Sequence, residues 1–404
     1  MTFNIIRGSK QIGGSCVEIT SNNTQIFIDA GLPIDYKSES EDKPIIDAIN
    51  KKPADGILIS HAHQDHYGLL NEVDRNIPLY MSEGTKRLID TAAYFNGEEY
   101  LTQKLTIIKP GEPFMIGDIE ITPYQVDHSG FDAMAFLIES DGKRVFYSGD
   151  FRGHGRKNML FTEMLRNPPK DIDYLILEGT CIEKENSDNK SEKDIEADLK
   201  EAFKNNKMTF ISYSSHNIDR IVSIYKACIA SKKIIVIDPY TAYILDKIKD
   251  LGMIPQTNWS EYFRIYFARD SNTRKMDDSG DLFKFQYSKI TGDEILKNRQ
   301  SIVIRNSYNI RKKFDSHILP GETQLIYSQW GGYFEQEKDF WDTHNIKPDF
   351  IHSSGHAYQN EIIDFVNAIS PKKIIPIHTM TPDKYLELFG NKITMLHDGE
   401  KLTV

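Results

Sequence analysis

Histidines and an aspartate cluster in one hexapeptide, HAHQDH, at residues 61–66. It follows the apolar run at residues 57–59, which predicts a short buried strand. His61 and His63 are two residues apart in an extended loop, so their side chains point toward one metal ion. Asp65 and His66 lie where the chain turns into a helix and face a second ion. With 12 histidines in 404 residues, chance would place this pattern in the chain on the order of one time in a thousand, so the hexapeptide predicts a two-metal site.

Histidine and carboxylate side chains must bind these ions, because the cysteines are unsuited to it. Cys16, Cys181 and Cys228 are odd in number and lack the CxxC spacing. This argues against a disulfide framework and against a thiolate zinc site. A site of His and Asp alone accepts either zinc or manganese. We therefore expect two zinc ions, with manganese as the alternative.

Composition and charge limit the class of protein and its partners. Hydrophobic residues make up 39% and charged residues 27% of the chain, and no apolar stretch approaches the roughly 18 residues that span a bilayer. The N-terminal sequence MTFNIIRGSK lacks a signal-peptide pattern. We expect a cytoplasmic protein without a membrane partner. The net charge of −10 opposes non-specific binding of polyanions, so a nucleic-acid substrate would need a local basic track.

The length of the chain suggests two lobes, each with its own core. Before residue 180, short apolar runs predict strands, and a helix is predicted at residues 85–93, which together indicate a mixed α/β lobe. A polar tract follows, and Ser191 has the sequence context of a helix N-cap. Strands at residues 208–212 and 233–237 then alternate with helices, which predicts a small parallel sheet. The polar stretch at residues 269–281 is predicted to be a mobile loop.

Further motifs occur in an order that resembles the metallo-β-lactamase superfamily. They are FIDAG with Asp29, DHS with His128, YSGD with Asp150 and PIH with His378. The resemblance implies that Asp29 orients the metal loop without binding metal. It also implies that His128 completes the His61/His63 site, that Asp150 bridges both ions, and that His378 completes the Asp65/His66 site.

Two more motifs resemble the β-CASP branch, which processes nucleic acids. LEGT contains Glu178 and Thr180, and SSGHA contains His356. The branch implies a metallo-β-lactamase αββα sandwich with an inserted α/β β-CASP domain, here at residues 1–190 and 346–404 with the insertion at 191–345. Within it, the chain is similar to ribonuclease J and to messenger-RNA 3′-processing endonucleases. It is shorter than typical ribonuclease J, and Thr-Met follows His378 where Gly-Glu is usual, which leaves exonuclease and endonuclease activity open.

The expected catalytic residues are Asp65, which binds metal, Glu178 and His356. Two ions would lower the pKa of a shared water to near 7 and neutralise phosphate oxygens, so no covalent nucleophile is needed. Glu178 is expected to hold a ligand histidine through its second nitrogen. His356 is expected to donate to the scissile phosphate or to protonate the leaving oxygen, since an imidazole with a pKa near 6.5 suits general acid catalysis.

Contacts with substrate are predicted from short polar segments, and each has an ordinary structural alternative. Arg152 lies in the loop FRGHGRK after Asp150, where it contacts phosphate or is simply a solvated charge. Ser215 and His216 follow a strand of the insertion, where they bind phosphate or cap a helix. Ser354 of SSGHA is a further candidate. The aromatic segment WGGYF at residues 330–334 offers stacking surfaces for bases or packs at a turn.

The favoured function is a metal-dependent ribonuclease that acts on single-stranded RNA. Three alternatives remain: a small-molecule ester, thioester or phosphate hydrolase of the same superfamily, a DNA nuclease, and an inactive scaffold that binds RNA. The expected partners are an RNA substrate, or DNA, and a second copy of the chain in a homodimer. The preference for single strands rests on the expectation that the insertion closes over the metal face, since a cleft admits a flexible strand more easily than a stiff duplex.

Overall fold

The computed structural model describes residues 1–34, 43–52, 54–184 and 189–404. The chain divides into two compact units, Met1–Asn189 with Gly355–Val404, and Lys190–Ser354. In chain order the strands are β1 (Thr2–Arg7), β2 (Cys16–Ser21), β3 (Thr24–Ile28), β4 (Gly56–Leu58), β5 (Leu79–Met81), β6 (Leu105–Ile107), β7 (Phe114–Ile116), β8 (Ile119–Gln125), β9 (Met134–Ser140), β10 (Lys143–Tyr147), β11 (Tyr174–Glu178), β12 (Met208–Ser212), β13 (Ile234–Ile237), β14 (Phe263–Tyr266), β15 (Lys289–Ile290), β16 (Ile302–Arg305), β17 (Thr323–Tyr327), β18 (Pro348–Phe350), β19 (Lys373–Ile377) and β20 (Lys401–Thr403). The α-helices are α1 (Lys43–Asn50), α2 (Gln64–Tyr67), α3 (Glu83–Asn96), α4 (Asn158–Arg166), α5 (Glu192–Ala202), α6 (Ile218–Ala230), α7 (Pro239–Lys247), α8 (Ser271–Asp278), α9 (Gly292–Lys297), α10 (Tyr308–Phe314), α11 (Lys338–Thr343), α12 (Gln359–Ile369) and α13 (Asp383–Phe389).

Two mixed sheets form the centre of the first unit, in the strand orders β20-β1-β2-β3-β4-β5-β6 and β19-β11-β10-β9-β8-β7. Their facing side chains share one buried core, which includes Phe3 and Ile28 from the first sheet and Phe136 and Ile375 from the second. A second core lies between the second sheet and helices α4, α12 and α13. Helix α1 buries Ile45 and Ile49 and lies against β1. The unit is therefore an αββα sandwich.

Parallel pairing explains why some strands have no polar alternation in their sequence. β4 pairs in parallel with β3 and β5, and β12 does so with β16 and β17. All residues of both strands are buried, as is typical of parallel strands with both faces covered. The strand predicted at residues 57–59 is β4, and the one predicted at 208–212 is β12.

The second unit contains a sheet in the order β15-β14-β13-β16-β12-β17-β18, and every described pairing within it is parallel. Its core includes Phe210, Val236 and the fully buried Trp341. The prediction of a small parallel sheet is confirmed. The unit continues past residue 345, where the insertion was expected to end, because β18 pairs with β17 and so belongs to the same sheet.

In the second unit, one helix begins where the sequence predicts it, and another lies where a loop was predicted. Ser191 caps α5 and forms a capping box with Asp194, as expected. The mobile loop predicted at residues 269–281 is wrong, since α8 occupies Ser271–Asp278 with Asp270 as its N-cap. Met276 is the buried residue of α8. A helix with so narrow an apolar stripe has too weak a periodic signal to be recognised from its sequence.

Candidate metal centre

The second sheet of the first unit brings three predicted residues to one edge. β10, β11 and β19 are parallel neighbours, so their carboxyl ends lie side by side. Asp150 follows β10, Glu178 is the last residue of β11, and His378 follows β19. His378 has a positive φ of 53°, a left-handed conformation that costs a non-glycine residue roughly 1–3 kcal/mol. Strain of this kind is typical of a functional position.

Backbone hydrogen bonds hold the metal loop, residues 61–66, on the segments that precede β2 and follow β3. Ala30 N donates to the carbonyl of His66 at 2.8 Å, and Ser15 N donates to that of Asp65 at 3.1 Å. A Cβ at Gly31 would collide with the Asp65 carbonyl and would lie 2.8 Å from His66 N. Glycine is therefore required at residue 31 for the loop to approach this closely.

Three histidines form the first group of the centre. His61 Nε2 and His128 Nε2 lie 3.0 and 3.3 Å from His63 Nδ1, and the three side chains can hold one ion. Burial lowers the pKa of His63 to about 4 and holds the pKa of His61 and of His128 well below the ordinary value. These imidazoles are therefore neutral at pH 7, which is the form that binds metal.

Asp65, His66 and His378 form the second group, with Asp150 beside it. Asp65 Oδ2 lies 3.2 Å from His378 Nε2 and 3.8 Å from His66 Nε2. Burial opposes ionisation of both carboxyl groups, but the surrounding histidines hold the pKa of Asp65 and of Asp150 below the ordinary value. Both aspartates are thus anions at pH 7, as metal ligands must be.

Two buried atoms test whether these residues fit a cation. His66 Nδ1 lies 2.8 Å from Asp29 Oδ2 and so carries a proton, and Nε2 on the other side of the ring faces Asp150 Oδ2, 3.1 Å away. Both facing atoms are buried and make no hydrogen bond of regular geometry with the described residues. Burial alone would lower the pKa of His66, but the negative charges of Asp150 and Asp29 raise this pKa well above its ordinary value. Positive charge is therefore favoured between these atoms, where a proton on Nε2 or a bound cation can supply it, and the His/Asp donor set fits zinc.

Asp150 lies between the two groups. Its Oδ2 is 3.9 Å from His61 Nε2 and 3.1 Å from His66 Nε2, and its Oδ1 is 3.8 Å from His378 Nδ1. Asp150 belongs to one possible ligand set with His61 and His66 and to another with His378. A carboxylate in this place can contact two ions at once.

Glu178 and His356 adjoin the centre through Asp150. Glu178 Oε1 lies 3.3 Å from His356 Nδ1 and accepts a hydrogen bond from Phe151 N at 3.2 Å. Burial alone would lower the pKa of His356, but the negative charges of Glu178 and Asp150 raise this pKa to about 9. His356 is therefore a proton donor at pH 7 by a wider margin than the pKa of about 6.5 assumed from the sequence.

Comparison with known families identifies this arrangement. Residues 24–209 match the family described as beta-lactamase superfamily domain, and residues 345–384 match the Zn-dependent metallo-hydrolase RNA specificity domain. The chain is 24% identical over 340 residues to a ribonuclease J of Sinorhizobium meliloti, covering 80% of this chain and 57% of that protein. It is also 24% identical over 394 residues to a ribonuclease J of Helicobacter pylori, covering 92% and 55%. The chain belongs to the ribonuclease J-like β-CASP branch of the metallo-β-lactamase superfamily.

The chain thus spans little more than half the length of these ribonuclease J relatives. A solved structure from Enterococcus faecalis V583, a protein of unknown function, covers 100% of this chain and 99% of its own with a TM-score of 0.80 and 22% identity. This likeness shows the shared fold over both units. The second unit, with its parallel sheet, is the inserted β-CASP domain of the family architecture.

Thr180 contacts a predicted ligand histidine, a role that was expected of Glu178. Glu178 was expected to hold a ligand histidine, but its histidine partner among the predicted residues is His356. Thr180 is the residue that contacts a predicted ligand, since its Oγ1 lies 2.8 Å from His378 Nδ1. Glu178 in turn accepts from Thr180 N at 3.0 Å and so holds this threonine in place. The sequence predicts the hydrogen-bonded support but not which side chain provides it.

The metallo-β-lactamase residue Asp29 is engaged entirely by its neighbours. Its carboxylate accepts from Ser60 N and Ser60 Oγ at 2.8 Å each, from Tyr147 OH at 2.9 Å, and from His66 Nδ1. Asp29 is fully buried and has a φ of 61°. These contacts leave Asp29 as the support of the metal loop, because its lone pairs are directed at donors of the protein.

Two predicted substrate contacts are wrong because tertiary contacts use the side chains. Arg152 is fully buried and forms an ion pair with Asp127 at 3.2 Å, so its guanidinium is not exposed to substrate phosphate. Ser215 is buried, and its hydroxyl lies 2.7 Å from Thr241 Oγ1. The N-cap of α6 is Asn217. Neither contact can be recognised from sequence, because both partners are distant in the chain.

The other two predicted substrate residues remain predictions. His216 is half-buried in the second unit, with Nε2 2.8 Å from Tyr240 OH. Ser354 is also half-buried and is the last residue of that unit.

Glu361 joins the loop after Asp150 to the segment after His356, and sequence reasoning missed it. It accepts from Gly153 N and Tyr358 N at 3.0 Å each and lies 2.9 Å from His154 Nδ1. The imidazole of His154 also stacks on the ring of Tyr358. The available signal was the position of Glu361, three residues after the helix N-cap, where a capping-box glutamate occurs.

A search of the described residues finds no helix that is both long and apolar enough to cross a bilayer.

Proposed function

We propose that this chain is a ribonuclease that hydrolyses phosphodiester bonds of single-stranded RNA and requires two divalent cations, zinc or alternatively manganese. One observation carries the proposal: four histidines besides His66 and two aspartates place possible ligand atoms together, with His66 Nε2 and Asp150 Oδ2 buried and 3.1 Å apart at their centre. Relatives named ribonuclease J support RNA as the substrate. The match to an RNA specificity domain at residues 345–384 supports it further.

Seven side chains would hold the ions. His61, His63 and His128 would bind one, Asp65, His66 and His378 would bind the other, and Asp150 would contact both. Bound cations of this kind lower the pKa of a water to near 7 and neutralise the charge on the phosphate oxygens. Asp29 and Thr180 keep His66 and His378 in the required orientation through their second ring nitrogens.

His356 is the proposed proton donor. Its Nδ1 faces Glu178, so the nitrogen on the other side of the ring is the one that can donate to substrate. During hydrolysis the water loses a proton to solvent and its oxygen forms a bond to phosphorus, while the bond to the leaving oxygen breaks. The imidazolium of His356 protonates that leaving oxygen and then regains a proton from solvent. Glu178 stabilises the protonated ring and keeps its orientation.

Burial of the centre supports the preference for a single strand. His61 is fully buried, Asp150 is 2% exposed, and even the proposed donor His356 has a side chain only 19% exposed. The scissile phosphate must therefore enter a recess. An unpaired strand can bend to present one phosphate, whereas the phosphates of a duplex are fixed on a stiff helix.

Cleavage of 5′-labelled RNA and DNA in parallel, with products resolved by length over time, tests the substrate and the mode of attack. We expect RNA cleavage that stops on chelation and returns with zinc or manganese. Similar rates on DNA would indicate a general nuclease. Hydrolysis of small esters without RNA cleavage would indicate a small-molecule hydrolase, which the net charge of −10 favours.

A matched pair of histidine variants tests the assignment of roles. His356→Ala should keep both metals and lose turnover by about 10²- to 10⁴-fold, the usual contribution of a general acid. His378→Ala should weaken the binding of one metal. Loss of metal in the first variant, or full metal content in the second, would contradict the two assignments.

A further inference from the structure

Aromatic side chains lie exposed at the carboxyl ends of two parallel strands of the second unit. β17 ends at Tyr327 and β18 ends at Phe350, and the two strands are neighbours. Phe350 is 55% exposed, and Trp330 and Tyr333, which follow β17, are 56% and 46% exposed. In parallel α/β sheets, ligands bind outside the carboxyl ends of the strands. These three aromatic residues form what we call the aromatic platform.

The backbone of Gly332 packs against the indole ring of Trp330 and fixes its orientation. A Cβ at Gly332 would lie 2.6 Å from Cζ2 of the indole, so the ring rests directly on the glycine backbone. The ring of Tyr333 meets it edge-on at a centroid distance of 5.0 Å. Phe350 packs against the buried rings of Tyr327 and Phe334 at 5.7 and 6.0 Å. These contacts restrict the orientations open to the three rings before any ligand binds, which reduces the entropy lost on binding.

The size of the platform excludes a stable protein interface built on it alone. Three half-exposed aromatic side chains offer roughly 300 Å², whereas a specific interface buries about 800 Å² on each partner. A surface of this size matches one or two planar bases. Stacking also requires no phosphate contact, so it can contribute affinity for RNA in a chain with a net charge of −10.

We propose that Trp330, Tyr333 and Phe350 form a stacking site for unpaired bases of single-stranded RNA. The proposal rests on the proposed function for its choice of ligand. The chemistry recognises the face of a base and not its edge, so every base is accepted and the site supplies affinity without sequence preference.

Equilibrium binding of a fluorescent single-stranded RNA of about ten nucleotides, the size that single-stranded sites accommodate, tests the platform. The measurement uses the full metal-loaded chain with His356→Ala to suppress cleavage. Adding Trp330→Ala should weaken binding by about 5- to 150-fold, the loss of one stacked base. Trp330→Phe should retain most of the affinity, whereas Trp330→Leu, which is apolar but not planar, should lose it. Trp259→Ala is the matched control, since Trp259 is 48% exposed in the same unit.

Two further measurements separate stacking from other causes. An abasic oligomer should bind equally with Trp330 and with Ala at that position, and the slope of affinity against salt should be unchanged, because phosphate contacts are not involved. Equal losses from Trp330→Ala and Trp259→Ala, or wild-type affinity in Trp330→Leu, would overturn the proposal. So would a dimer that dissociates on Trp330→Ala.

RNA cleavage by the unsubstituted chain, measured in the same preparations, keeps the two proposals apart. Absence of cleavage with a stacking loss in Trp330→Ala would refute the ribonuclease and leave the platform standing. Cleavage together with unchanged binding in Trp330→Ala would refute the platform alone.

Discussion

The candidate metal centre of the first unit and a buried ion pair of the second unit hold charged side chains in different ways. In the metal centre, the buried atoms His66 Nε2 and Asp150 Oδ2 face each other at 3.1 Å, and Asp150 and Asp29 raise the pKa of His66 well above its ordinary value. In the second unit, Arg220 and Glu192 are both fully buried and paired at 2.8 Å. The Arg220 guanidinium also donates to the carbonyl of Ser328 at 2.6 Å and to Ser353 Oγ at 3.0 Å.

This difference separates structural polar groups from functional ones. A buried ion is stable when its charge and its hydrogen bonds are satisfied by the protein, as those of Arg220 are. The buried carboxylate of Asp150 faces histidine instead, so the positive charge beside it comes from a proton on His66 or from a bound cation. Buried negative charge that is faced by exchangeable positive charge therefore marks the candidate site better than the mere presence of charged residues.

The largest effect is expected from Asp150→Asn, which removes the charge that faces His66 and keeps the shape. Loss of metal should lower RNA cleavage by about 10³-fold or more, since both the attacking water and the phosphate depend on the cations. Elemental analysis and cleavage rates measure this. Asp173→Asn is the matched control, because Asp173 is 9% exposed, accepts from Arg144 N, and lies at the amino end of the same sheet. Equal metal content in Asp150→Asn and Asp173→Asn would show that Asp150 has no special part in metal binding and would contradict this distinction.

Arg220→Met should act on stability and leave the metal unchanged. Removing one partner of a buried ion pair leaves Glu192 uncompensated and should lower the free energy of unfolding by about 3–5 kcal/mol. Denaturant titration of the full chain measures the loss. The double variant Arg220→Met/Glu192→Leu should recover much of it, because neither charge then remains buried. An unchanged free energy of unfolding in the single variant would show that the pair is not a structural element.

A smaller effect is expected from Thr180→Val, which removes the hydroxyl beside His378 Nδ1 and keeps the volume. The ligand histidine loses its orienting contact, so affinity for one metal should fall by about 10- to 100-fold. Competition with a chelator measures this affinity. Thr162→Val is the control, since Thr162 is exposed on α4 of the same unit. Affinity that is equal in the two variants would remove Thr180 from the support of the centre.

The metal centre could be predicted because its chemistry is local in sequence. Four of its residues occur within the loop at residues 61–66. His378 directly follows β19, and Asp150 lies in the turn shortly after β10. Parallel strands align their carboxyl ends, so residues distant in the chain converge there without further information. The positions of these residues in the sequence therefore predict that their side chains lie close together in the fold.

The remaining contacts could not be predicted because they depend on pairings between distant segments. Arg152 has the sequence context of an exposed basic residue, but in the structure it is buried and forms an ion pair with Asp127. Ser215 is likewise used by Thr241. The exposure of Trp330 was equally undetermined, since a tryptophan next to glycines is compatible with a buried turn and with an exposed ring.

The metal content of the purified chain tests the central claim most directly. Because seven His and Asp side chains converge and the surroundings of His66 and Asp150 favour positive charge between them, we predict close to two equivalents of zinc or manganese per chain, lost on chelation and regained on addition of either metal. A chain that contains no transition metal, and that binds none after chelation and exposure to both, would contradict the account.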